Sequence, residues 1–149
     1  QEKKIPITIF GVAMALERNL EVCNAIKEAD YEVASHGWRW IDYQNISKSE
    51  EKKHMKLAIK TIKKIFGKRP LGWYTGRCSL NTRDLVFEDG GFLYDSDSYS
   101  DDLPYWEIRK NKKRESPKKQ HMYRSWEAVS YPFNGNYCFP FFFGFQGLA

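Results

Sequence analysis

Ile5-Pro-Ile-Thr-Ile-Phe-Gly-Val-Ala13 is an almost unbroken apolar run of β-forming residues. A strand with one wet face alternates apolar and polar residues, whereas a strand covered on both faces does not. The run therefore predicts a strand inside a helix-covered sheet. Outward from it, Asn19 can cap a helix over 20–29 that turns Cys23 and Ile26 inward. Tyr31-Glu-Val-Ala-Ser35 reads as the next short strand. Ser47 and Glu50 have capping-box spacing. They open a helix reaching about Phe66, with Met55, Ala58, Ile59, Ile62, Ile65 and Phe66 in one apolar stripe and lysines opposite. Gly67 and Pro70 stop it. Leu71-Gly-Trp-Tyr74 is a third strand, and Asn81 or Thr82 can cap a helix carrying Leu85 and Val86 that ends at Gly90-Gly91. Phe92-Leu-Tyr-Asp95 is a fourth strand. Strands alternating with helices imply an α/β fold, a parallel sheet or an α/β barrel.

The composition bounds the rest. A chain of 149 residues holds at most one ordinary domain. With 42% apolar and 29% charged residues it is globular rather than disordered. No apolar run reaches about 18 residues, so no membrane span is expected. The chain starts at Gln1 rather than Met, so the lack of a secretory signal carries no weight. The net charge of +5 is concentrated at 52–69 and 109–124. A charge of this size does not by itself imply nucleic acid. The basic stretch 109–120 lacks the interleaved aromatics on which bases stack and reads as a surface loop. Cys23, Cys78 and Cys138 make an odd count without a CxxC pair, which favours free thiols and a cytoplasmic location. Residues 131–147 are dense in Phe, Tyr, Gly and Pro and follow no amphipathic period.

In parallel α/β folds the active site lies at the carboxyl ends of the strands. Polar residues follow that rule here: His36 after the second strand, Arg77 and Asn81 after the third, Asp95 and Asp97 at the fourth. A histidine's ordinary pKa of about 6.5 suits proton transfer near neutrality. The competing role for His36 is a backbone-bonded structural histidine. Trp38, Arg39, Trp40 and Tyr43 can wall a pocket, with the aromatic rings stacking on a flat ring, or simply pack the barrel. Arg77 offers planar paired donors to a carbonyl oxygen or a developing oxyanion, against the plainer role of a surface ion pair. Asn81 can assist it or cap a helix. Asp95 and Asp97, two apart on a strand, share one face, so one can orient a base while the other meets substrate. An acidic turn is the alternative, and the EF-hand offsets are not met. His54, on the lysine-rich helix face, is expected to be solvated. Cys78 has no base fixed nearby by sequence, which argues against a nucleophile.

Four ordered segments carry a resemblance: Ala13-Met-Ala-Leu-Glu-Arg-Asn19, Ala34-Ser-His-Gly-Trp-Arg-Trp-Ile-Asp-Tyr-Gln44, Arg69-Pro-Leu-Gly-Trp-Tyr-Thr-Gly-Arg77 and Gly91-Phe-Leu-Tyr-Asp-Ser-Asp-Ser-Tyr-Ser-Asp-Asp-Leu-Pro-Tyr105. Together they resemble the polysaccharide-deacetylase (NodB-like) superfamily, in its cofactor-independent allantoinase branch. The resemblance implies a fragment of an irregular (β/α) barrel: a partial catalytic domain over 1–122 and a divergent tail over 123–149. The superfamily's first acidic motif, of the Thr-Phe-Asp-Asp type, would lie before Gln1. Where its third motif is of the Arg-x-Pro-Tyr type, this chain has Trp73-Tyr-Thr-Gly-Arg77. Metal-dependent members hold their ion with His-Ser/Thr-x-x-His plus an Asp, bringing bound water's pKa from about 15.7 to about 7. Here Trp40 stands where the second histidine would be.

The resemblance therefore implies a site without metal or other cofactor, hydrolysing a non-peptide amide C–N bond. The implied reaction is allantoin to allantoate, a step of purine degradation. His36 would assist proton transfer, Arg77 polarise the carbonyl, Asp95 or Asp97 orient the partners, and Trp38, Trp40 and Asn81 contact substrate. The expected partner is a small ureide, with no nucleic acid and no membrane. The open strand edges of a half barrel predict self-association into a homo-oligomer. Two alternatives stand beside this reading: a metal-dependent de-N-acetylase of chitin-like or peptidoglycan sugars, and a truncated, non-catalytic chain.

Overall fold

The computed structural model describes residues 7–98 and the backbone of two further strands, Tyr105–Ile108 and Gln120–Tyr123. The elements run β1 (Thr8–Gly11), α1 (Ala13–Arg18), α2 (Leu20–Glu28), β2 (Glu32–Ser35), α3 (Lys48–Phe66), β3 (Gly72–Trp73), α4 (Thr82–Asp89), β4 (Tyr94–Asp95), β5 (Tyr105–Ile108) and β6 (Gln120–Tyr123). They form one sheet in the order β1-β2-β3-β4-β6-β5. Every neighbouring pair is parallel except β5 with β6. The alternating α/β order expected from the sequence is thus present, with two additions.

The first addition is α1. The apolar run was expected to stay extended through Ala13, but Val12 is the helix N-cap and Ala13 is already helical. Ala13 and Leu16, three apart, are the buried residues of α1. Six residues are too few for a 3.6-residue period to stand out from a strand-like run. The second addition is the β5–β6 hairpin, whose β6 inserts beside β4. Gln120, placed in a surface loop by sequence, begins β6. The rest of that basic stretch, and the tail beyond Tyr123, lie outside the described residues.

The helix ends follow local chemistry. Asn19 Oδ1 accepts from Val22 N at 3.3 Å and starts α2. Ser47 Oγ accepts from Glu50 N at 3.3 Å and starts α3. The Glu50 carboxylate turns to Lys53 and His54. Gly67, at φ +74°, closes α3, a left-handed turn that glycine adopts without steric cost. The Asn81 side chain makes no cap bond at α4.

The core lies between the sheet and its helices: Ala13, Leu16, Cys23, Ile26, Met55, Ala58, Ile62, Trp73, Leu85, Val86 and Phe92. A fully buried aliphatic side chain such as Ile62 stabilises by about 1.5–3 kcal/mol. Away from this core, Glu32 on β2 accepts from Thr8 Oγ1 on β1 at 2.7 Å and from Tyr94 OH on β4 at 2.9 Å. Among the described residues no helix is long and apolar enough to cross a membrane.

Gly72 lets the Tyr94 ring lie against β3. A Cβ at Gly72 would come within 2.1 Å of Tyr94 Cζ, in a ring with no exposed surface. Gly72→Ala is expected to destabilise by about 1–3 kcal/mol or more, because the ring cannot retreat. Gly67→Ala is the control: a Cβ there would meet nothing within 4 Å, which leaves only the left-handed strain of about 1–2 kcal/mol. Thermal melts that rank Gly67→Ala as the costlier change would contradict this packing.

Candidate active site

The site begins where β2 ends. His36 N donates to Gly11 O at 2.9 Å, which carries the β1–β2 ladder one residue past the strand. His36 Nδ1 lies 2.9 Å from Tyr74 O. A carbonyl only accepts, so Nδ1 carries the proton and the neutral ring's lone pair is on Nε2. The ring stacks on Tyr74, with centroids 5.1 Å apart, and meets the edge of Trp40 at 6.0 Å. Only 8% of His36 is exposed. Burial lowers its pKa below the ordinary 6.5, partly opposed by the bond to Tyr74 O. One residue thus combines a backbone-bonded Nδ1 with a basic Nε2.

The two tryptophans part company. Trp40 is half exposed beside His36. Trp38 packs against the hydrophobic core, and its carbonyl accepts from Met14 N at 3.2 Å. Of the two roles weighed for Trp38, the structure displays core packing.

Asp95 and Asp97 are both buried at the end of β4. Asp95 Oδ1 accepts from Asp97 N at 3.0 Å. The Asp97 carboxylate accepts from Thr75 N at 3.0 Å, Thr75 Oγ1 at 2.9 Å and Gly76 N at 2.8 Å. Burial pushes the Asp97 carboxyl up, and the Gly76 and Thr75 donors pull against it. Asp97 thereby holds the first residues of the loop after β3. Arg77 comes next in that loop, with an exposed side chain and a carbonyl that accepts from Tyr43 N at 3.1 Å. Burial pushes the neighbouring Cys78 thiol up, and the Asp97 charge pushes it further. Such a thiol is a poor nucleophile near neutral pH. Asn81 is half buried, and its backbone N donates to Ser79 Oγ at 2.9 Å.

Two residues of the site region, Glu51 and His54, are not candidates by sequence, whereas Tyr43 is weighed there as a pocket wall or a core aromatic. Glu51, only 2% exposed, accepts from Ser79 Oγ at 2.6 Å and from Thr82 Oγ1. A signal existed: Glu51 precedes Met55, Ala58 and Ile62 on the apolar stripe, by four, seven and eleven residues. His54 is not solvated as expected. Its side chain is 14% exposed, with Nδ1 3.3 Å from Tyr43 OH and Nε2 3.4 Å from Glu50 Oε1. A wide lysine face hid the turn at which it points inward. Tyr43, aromatic and 3% exposed, has its hydroxyl pKa pushed up to about 12 by burial. A Cβ placed on Gly37 would lie 3.7 Å from both Tyr43 OH and Thr75 Cγ2. The segments after β2 and β3 therefore meet beside His36. Among the described residues no three His, Cys, Asp or Glu side chains converge on one point, so they do not by themselves fit a metal.

Comparison with known proteins adds the family. The family model of polysaccharide deacetylases matches residues 1–86, more than half of the chain. The chain belongs to the polysaccharide deacetylase family. A Schizosaccharomyces pombe protein carrying the polysaccharide deacetylase name is 42% identical over 113 residues, covering 71% of this chain and 35% of its own length. The crystal structure of PuuE allantoinase superposes with a TM-score of 0.75 at 48% identity, over 85% of this chain and 40% of that one. A Pseudomonas aeruginosa PAO1 structure that also carries the polysaccharide deacetylase name gives a TM-score of 0.75 at 47% identity, with the same coverage. This polysaccharide deacetylase domain thus spans about two fifths of those structures. Its parallel strands and covering helices are part of their α/β fold, as the resemblance implied.

Proposed function

We propose that the protein hydrolyses an amide C–N bond in a small cyclic ureide, converting allantoin to allantoate. The observation that carries this reading is the 48% identity to PuuE allantoinase over 85% of the chain. Trp40 beside His36 supports it, because an indole at that place is a stacking surface for a flat ring and not a metal ligand.

In this reading His36 Nε2 takes a proton from water as the water oxygen attacks the ring carbonyl. The ring C–N bond then breaks and the departing nitrogen receives a proton, so one water is consumed. Burial favours the neutral imidazole at pH 7, the form a general base needs. Arg77 meets the carbonyl oxygen as negative charge develops on it, an interaction worth about 10²–10³ in rate. Asp97 orients the loop that carries Arg77, Asp95 supports Asp97 through its backbone amide, and Asn81 borders the same loop. We place the protein in the cytoplasm, in keeping with free Cys23 and Cys78, and expect self-association through strand edges.

A second reading, a metal-dependent de-N-acetylase, draws on the Pseudomonas aeruginosa structure. One assay separates the two. Allantoate formation from allantoin that persists in excess chelator supports the first. Absent that turnover, acetate release from an N-acetylated sugar oligomer that requires added metal replaces it with the second.

A further inference from the structure

The loop that carries Arg77 hangs between two buried carboxylates. At its start, Thr75 and Gly76 donate to Asp97. At its end, Ser79 Oγ and Thr82 Oγ1 donate to Glu51 of α3. Ser79 N donates to Thr82 Oγ1 at 2.8 Å and Asn81 N to Ser79 Oγ at 2.9 Å, so the turn is tied around the Glu51 oxygens. Between the anchors, the Arg77 carbonyl takes Tyr43 N. Glu51 is 2% exposed on a helix whose other charged residues mostly face water. A carboxylate buried with only hydroxyl partners is costly to place, and a lysine or glutamine at the surface would serve the helix as well. The expense is understandable if the loop must be held in one conformation.

We propose that Glu51 is a positioning residue for Arg77, fixing the far end of the 75–82 loop so that the guanidinium is held at the rim beside His36. Its charge also reaches the site, acting on Asp97, Tyr43 and Cys78 in the same upward direction. The kinetic part of this inference rests on the proposed amide hydrolysis, and the conformational part does not.

The test uses Glu51→Gln in the whole protein. The amide supplies one acceptor oxygen where the carboxylate supplied two, so one hydroxyl loses its partner. Amide hydrogen exchange at Ser79, Asn81 and Tyr43 is expected to quicken by about tenfold or more, while the core of α2 keeps wild-type exchange. On allantoin, kcat/KM should fall about 10–100-fold, and Glu51→Gln/Arg77→Ala should be no slower than Arg77→Ala within about twofold. Unchanged loop exchange, or fully additive losses, overturns the proposal. If Glu51→Gln does not fold, Ser79→Ala removes one of the two donors and must give the same pattern at smaller size. If the wild type does not turn over allantoin, the substrate reading fails and the exchange result alone decides the role of Glu51.

Discussion

His36→Ala is expected to lower kcat/KM on allantoin by about 10²–10⁴-fold, the usual contribution of one positioned acid or base. The fold should survive, because the bond that ties this residue to β1 runs from its backbone amide to Gly11 O and alanine keeps it. A second signature goes with the first. In the proposed reaction the neutral ring is the active form, and burial moves its pKa below 6.5. Wild-type kcat/KM should therefore fall as pH drops through a midpoint below 6.5 and be level above it. The alanine variant should lack that limb. Wild-type turnover in His36→Ala, or an acid midpoint above 6.5, would remove His36 from the role of base.

Asp97→Asn is expected to cost about 1–3 kcal/mol of stability or more, and most of the activity with it. The carboxylate accepts from Thr75 N, Thr75 Oγ1 and Gly76 N together. Asparagine offers one acceptor oxygen and turns an NH₂ donor toward donors already there. Burial favours the neutral carboxyl, but a protonated acid would also have to give up one acceptor position. For a chain of this size each kcal/mol lowers Tm by about 2–4 °C. An Asp97→Asn protein with wild-type Tm and wild-type loop exchange would show that the carboxylate does not hold the loop.

The parts of the fold legible in the sequence were those with a strong local cause. Ser47 and Gly67 bound α3 because one accepts from a helix N–H and the other adopts a left-handed turn. Asn19 started α2 for the same reason. β3 and β4 are legible in position, but their apolar runs are longer than the strands: Gly72–Trp73 and Tyr94–Asp95 pair in register, and Leu71, Tyr74, Phe92 and Leu93 flank them. α1 is short enough to hide in an apolar run. Within the site, His36, Asp95, Asp97 and Arg77 could be chosen because chemistry-bearing residues follow strands in this architecture. What each one touches could not. The partners of Asp97 lie 21 and 22 residues away and those of Glu51 28 and 31. Such pairings depend on how loops close in three dimensions, which no local pattern encodes.

α3 is a single rod of 19 residues, and two of its adjoining turns reach the site from behind. His54 backs Tyr43 on one segment, and Glu51 grips Ser79 and Thr82 on the other. The segments after β2 and β3 are therefore both fastened to one helix. A slide or tilt of this rod would transmit to both at once. Substitutions along the solvent side of α3 therefore belong with those that act on both segments, although no outward-facing lysine need touch either one.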